Sequence, residues 1–178
     1  MENYSIYLSP SAQEYNIGFG DYGSEEYRMN RITDILERLL KERGYTVYRN
    51  NPENSLAEIV NESNRLNPDI HVAIHSNASG GAGIGRGPEI YTNREGTMAD
   101  TLAHNIYEQI VEIYPEPELG RGVLYTTSLY EVRETLAPTV LLEVAFHDNE
   151  LDATWIMENE QVIAEAIFKG IDNYFINE

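Results

Sequence analysis

The chain has 178 residues, the size of one domain, with 42% hydrophobic and 24% charged residues, so it can bury a packed core and global disorder is excluded. It has no cysteine, which excludes disulfides and thiolate metal sites and leaves nitrogen and oxygen as the ligands for any metal. Twelve basic against thirty acidic residues give a net charge of −18, a field that repels nucleic-acid phosphates and anionic lipid, so neither nucleic acid nor a membrane is an expected partner.

The opening residues, Met1 to Ser5, lack the basic and apolar regions of a signal peptide. No apolar run approaches the roughly 20 residues that span a bilayer. Export is therefore expected through another route or a partner domain. Ser5-Ile6-Tyr7-Leu8 reads as a first strand, stopped by Ser9-Pro10-Ser11, and a loop rich in Gly and Asn follows to Gly23. Ser24 is placed to cap a helix whose first turn holds Glu25 and Glu26, where the dipole favours negative charge. Met29, Ile32, Ile35, Leu36, Leu39 and Leu40 recur at helical spacing, and Gly44 ends the helix. Tyr45 to Arg49 alternates as a second strand. Ser55-Leu56-Ala57-Glu58 is a capping box, and Asn67-Pro68 closes the helix that it opens.

The stretch Asp69 to Asn77 reads as a buried strand. Ile70, Val72 and Ile74 share one face, and His71, Ala73 and His75 share the other. A Gly-rich loop from Ala78 to Gly87 lacks a P-loop lysine and a strand-to-helix setting, which argues against phosphate binding. Pro88 to Thr92 follows as a strand and Thr97 to Tyr114 as a helix, broken by Pro115-Glu116-Pro117. A loop with Gly120-Arg121-Gly122 leads to an expected short strand near Leu129 to Arg133. Thr139 to Phe146 is a second long apolar strand, and one or two helices complete the chain. Strands alternating with helices predict an α/β fold: one layered domain over residues 1–178, its twisted, mostly parallel sheet of about six strands flanked by helices on both faces.

Ligands of such sheets sit beyond the carboxyl ends of the strands. His75 lies at that end, as either a metal ligand or a hydrogen-bonded structural histidine. His71 lies four residues back, about 13 Å along the strand, too far to share one ion with it, and reads as a core or supporting residue. Glu143 is a carboxylate within an apolar strand. Burial raises such a pKa toward the range of a general acid/base, although pairing with arginine or loop amides is an equal reading. Glu26, taken alone, is an acidic residue complementing a helix dipole. His147 follows the Glu143 strand, lining the same rim or capping the loop. His104 lies within a helix and reads as a surface histidine.

Five ordered segments together resemble the zinc-dependent N-acetylmuramoyl-L-alanine amidases of the amidase-3 group, over nearly the whole chain. Ala73-Ile74-His75-Ser76-Asn77-Ala78 is similar to that family's histidine strand end, and Leu141 to Asn149 to its catalytic-glutamate segment. Glu26-Tyr27-Arg28-Met29-Asn30 resembles its ligand glutamate and the asparagine four residues on. Gly87-Pro88-Glu89-Ile90-Tyr91 resembles the strand after the histidine, and Arg133 through Pro138 the run before the catalytic strand. The resemblance implies that Glu26 and His75 bind zinc and that Glu143 is the general base, with Asn30, Asn77 and His147 in supporting positions. The implied substrate is peptidoglycan, cut between muramic acid and the first stem L-alanine, and the implied place of action is the cell wall.

One departure from the family pattern is plain. Its first strand normally ends in a Gly-His-Gly type turn that supplies another zinc ligand. The corresponding stretch here, Leu8 to Asn16, has no histidine. Gln13 or Tyr15 is the candidate replacement, with an amide or phenolic oxygen, although a structural hydrogen-bonding role is the default for each, and His147 or a solvent molecule is the alternative. Two rival readings follow: a wall-binding or regulatory module that kept the fold without hydrolysis, and a hydrolase of other amides. Because Gram-positive walls are anionic, the charge of −18 also implies a separate wall-targeting domain, as in autolysins and phage endolysins.

Overall fold

Caps, glycines and apolar spacing divide the chain into β1 (Ser5–Pro10), α1 (Glu25–Arg43), β2 (Thr46–Arg49), α2 (Leu56–Leu66), β3 (Ile70–Asn77), β4 (Glu89–Thr92), α3 (Met98–Ile113), β5 (Gly122–Tyr125), α4 (Tyr130–Glu134), β6 (Thr139–Phe146), α5 (Glu150–Glu158) and α6 (Glu160–Ile176). The structure, a computed structural model, describes residues 4–177, and Met1 to Asn3, part of the stretch read as lacking signal-peptide features, lie outside the described residues. Ser24 caps α1 by accepting from the Tyr27 amide, and Gly44 ends it in the left-handed region at φ 104°. The Ser55–Glu58 capping box is formed in both directions, and Asn67 ends α2 at φ 50°.

The strands form a sheet of order β2-β1-β3-β6-β4-β5. β2, β1, β3 and β6 are mutually parallel. β4 runs antiparallel to β6, and β5 is parallel to β4. β4 and β5 therefore begin at the rim where β3 and β6 end, and the residues that open them join that rim.

Ile70, Val72 and Ile74 pack on one face against Ile32 and Leu36 of α1, Leu102 and Ile106 of α3, and Ile163 and Ile167 of α6, all fully buried. Each such side chain contributes about 1.5–3 kcal/mol by leaving water. At Gly170, an added Cβ would lie 2.5 Å from the Ile106 Cα, so a side chain there would force α6 away from α3. Ala73 and Leu141 face the other side, where they meet Val132 of α4, with α2 beside α4. Helices thus cover both faces, as the alternating pattern predicts.

One element differs from expectation. The short strand is Gly122–Tyr125, not Leu129 to Arg133, and Tyr130–Glu134 is helical. Ile90 pairs with Val123 across β4–β5, whereas the Arg133 amide bonds the Leu129 carbonyl to close a helical turn. Five residues are too few for periodicity to separate a helix turn from a strand.

Candidate active site

Register brings the first two groups together. His75 on β3 pairs with Glu143 on β6, and Glu143 pairs with Glu89 on β4. Adjacent strands lie about 4.8 Å apart, so these three side chains stand in one row at the carboxyl rim. Glu25, in the first turn of α1, closes over the row. Its Oε1 lies 2.8 Å from His75 Nδ1, and its Oε2 accepts from Asn16 Nδ2 at 2.6 Å. Ser11 adds a side-chain hydrogen bond, and the Ser76 amide approaches Oε1 at 3.4 Å.

Glu25 is almost fully buried. Burial alone would raise its pKa, but the hydrogen bond and charge of His75, with Ser11 and Asn16, outweigh that and hold it below the ordinary carboxylate value. For His75 burial pulls downward, yet the Glu25 hydrogen bond and the charges of Glu143 and Glu25 push it up to about 9. Glu143 has the opposite fate. Burial lifts it to about 8, with Glu25 and Glu89 adding and His75 opposing. Its Oε2 is buried without a hydrogen-bond partner. Such an atom has a large desolvation cost and the capacity to hold or take a proton.

A chain of hydrogen bonds supports Glu25 from behind. The buried Tyr22 hydroxyl lies 2.7 Å from Ser76 Oγ, which lies 2.9 Å from His147 Nδ1, and His147 Nε2 lies 3.1 Å from Asn16 Oδ1. Burial lowers the His147 pKa, so its ring is neutral. A neutral ring with its proton on Nε2 donates to Asn16, and Asn16 then donates to Glu25, so every donor in the chain points toward the Glu25 carboxylate. Gly18 makes room for this packing: a Cβ there would collide with the Tyr22 ring and lie 2.8 Å from the His147 carbonyl oxygen.

The structure therefore brings His75 and Glu143 together, but Glu25 rather than Glu26 meets His75. Successive helical residues point about 100° apart, and Glu26 turns toward a cleft of about 360 Å³ that it shares with Gln13, Glu14 and Tyr15. Tyr15 is 89% exposed, lines that cleft and does not border His75. Gln13, also exposed, lies between that cleft and a more apolar one of about 340 Å³ bordered by His75, Pro10, Ala12, Leu56 and Ile59. Asn30 spans the Ser11 and Glu26 carbonyls with its amide and accepts from Arg49, tying α1 to the end of β1. Asn77 donates to Glu89 Oε1 at 2.6 Å. His147 touches Asn16 and Ser76 rather than Glu25 itself.

Sequence reasoning missed Asn16, Ser11, Ser76, Tyr22 and Glu89 as members of this assembly. Their only signal was position, in loops or at strand ends beside the named residues.

The carboxylate and imidazole that face each other at Glu25 and His75 are donors of the kind zinc takes, and the unpartnered Glu143 oxygen beside them is suitably placed to act on a water. The donor set fits a cation, with two protein ligands. Among the described residues no group of three or more His, Cys, Asp or Glu forms a metal cage.

The family pattern described as N-acetylmuramoyl-L-alanine amidase matches residues 10–173. The N-acetylmuramoyl-L-alanine amidase CwlM of Bacillus licheniformis is 31% identical over 123 residues, covering 68% of this chain and 46% of that protein. An uncharacterized cell wall amidase of Bacillus anthracis is 29% identical over 145 residues, 77% of this chain and 27% of that protein. The chain thus spans well under two thirds of these relatives. The crystal structure of an N-acetylmuramoyl-L-alanine amidase from Clostridium difficile 630 superposes with a TM-score of 0.87 at 20% identity, covering 100% of both chains. AmiC2 of Nostoc punctiforme superposes at 0.86 with 21% identity over 97% of each chain, which establishes a shared fold.

Proposed function

The chain belongs to the N-acetylmuramoyl-L-alanine amidase family, and from that premise we propose that it hydrolyses the amide between the lactyl group of N-acetylmuramic acid and the first stem L-alanine of peptidoglycan, at the cell wall. The observation that carries this reading is the pairing of Glu25 with His75 beside a buried, unpartnered Glu143 oxygen. Zinc is the usual cofactor of the family. It would be held by Glu25 and His75, and when bound it supplies Lewis acidity and an acidified water.

Glu143 would accept the proton of the attacking water at Oε2 and return it to the leaving amine of L-alanine. Burial and the two neighbouring carboxylates hold its pKa near 8, against the pull of His75. It would lose part of that elevation once positive charge is held between Glu25 and His75, leaving it basic at neutral pH. Asn16, His147 and Ser76 would keep the Glu25 carboxylate oriented, as supporting partners commonly do for ligands.

Zinc-loaded protein incubated with purified walls should release new L-alanine amino termini, and Glu143→Gln should slow the release by about 10²–10⁴-fold. Equal release by parent and variant would overturn the assignment of Glu143. The net charge of −18 supports a further part of this reading, that a separate wall-targeting domain brings the enzyme to anionic walls. Wall lysis by this chain should then rise with salt, and a rate that is fastest at low salt refutes the repulsion.

A further inference from the structure

The row at the rim continues past Glu143. Glu89 pairs with Glu143 on one side and with Gly122 on the other. Glu89 is 1% exposed and is satisfied by Asn77, by the Tyr91 hydroxyl at 2.7 Å, and by an ion pair with Arg121 Nε. Arg121 also lies over the ring of Phe146, three residues beyond Glu143, with 5.3 Å from guanidinium carbon to ring centroid. Its side chain is 48% exposed, and its two terminal amino groups have no hydrogen-bond partner among the described residues. Arg86, just before β4, is committed to Glu116 and Asp152.

An arginine gripped through Nε by a buried carboxylate, laid on an aromatic ring and left with its outer edge open has a fixed fork aimed at solvent. That fork matches a carboxylate in shape and charge. Resting on the amidase reading above, we infer that Arg121 binds the free α-carboxylate of the second residue of the stem peptide. Arg121 precedes Gly122, which is two strands from Glu143, or about 10 Å. An extended peptide advances at most about 3.6 Å per residue, so the α-carboxyl one residue beyond L-alanine lies about 7 Å from the scissile carbonyl. The length of the arginine side chain covers the remainder. In a chain of charge −18, this cation gives an anionic stem one favourable point of contact beside the reacting bond.

The test uses two substrates that differ at one group: N-acetylmuramoyl-L-alanyl-D-glutamate, with a free α-carboxylate, and its α-amide, N-acetylmuramoyl-L-alanyl-D-isoglutamine. Zinc-loaded parent should favour the acid by about tenfold to hundredfold in kcat/KM, the range of a hydrogen bond to a charged group. In Arg121→Gln, and in the double variant Arg121→Gln with Glu89→Gln, which leaves no buried charge unpaired, the acid-to-amide ratio should fall toward one, with the loss in KM. A purely structural role for the pair predicts equal losses on both substrates and an unchanged ratio, which overturns the inference while leaving the amidase reading standing. A parent that prefers the amide also overturns it. Failure of the parent to cleave either compound sinks the amidase reading and the inference with it.

Discussion

β3 carries two histidines on one face, four residues apart, and each has a glutamate, yet the two pairs have opposite characters. His71 is fully buried, with Nδ1 2.8 Å from Ser63 Oγ and Nε2 2.7 Å from Glu131 Oε1, and it stacks on Tyr7 at 5.0 Å between centroids. Both ring nitrogens are used and no face is open. His75 uses Nδ1 on Glu25, keeps 15% of its side chain exposed, and stands beside the unpartnered Glu143 oxygen. The same residue types make a structural clasp near the start of the strand and an open edge toward its end. The difference is saturation: a polar group whose hydrogen bonds are all made holds the fold together, and one left short at a rim is available to a ligand.

The largest expected effect lies at the open pair. Glu143→Gln should lower kcat by about 10²–10⁴-fold, the usual contribution of a general acid/base, with the folded protein intact by circular dichroism. A residual rate within tenfold of the parent would remove Glu143 from the chemistry. At the closed pair the order of effects reverses. Glu131→Ala strands a buried histidine and should cost about 3–5 kcal/mol of stability by urea unfolding, while the activity of the fraction still folded persists.

A smaller effect is expected behind the open pair. Asn16→Ala removes the bond to Glu25 Oε2 and the link to His147, and should weaken zinc binding by about 10–100-fold in a competition titration. Glu26→Ala should leave zinc binding at the parent level, since Glu26 lies in a different cleft. Loss of zinc in Glu26→Ala but not in Glu25→Ala would restore the sequence-based assignment.

The smallest effect concerns acid. Burial would raise the Glu131 pKa, but its bonds to His71 and Ser9 depress it, and Arg31 and Arg28 do the same for Glu160. A depressed carboxylate contributes stability that is fully present above its unfolded pKa, near 4.3, and is lost as pH falls through the lower folded value. The urea midpoint should therefore fall below about pH 4, and Glu160→Gln should flatten that fall. A midpoint that rises as pH drops further below about 4 would contradict the sign.

Several features were readable before any coordinates. Alternation placed His75 on the face opposite Ile70, Val72 and Ile74, and caps at Ser24, Ser55 and Asn67 marked helix ends where the structure has them. These depend on neighbours within a few residues, and so does their physics. The choice between Glu25 and Glu26 was not readable, because both are acidic first-turn residues and only the docking of α1 against β3 decides which one faces inward. Arg121 and Glu89 were equally silent, since they lie 32 positions apart and meet only through the reversed direction of β4 and β5.

Local chemistry in the amino-acid order was thus sufficient for the α/β layering, the polarity of the rim and the candidates His75 and Glu143. Which carboxylate meets the imidazole, which histidine is sealed and which cation is left with an open edge were settled by packing. Those outcomes depend on strand register and helix rotation, and a single residue's shift in either exchanges the inward-facing side chain for its neighbour.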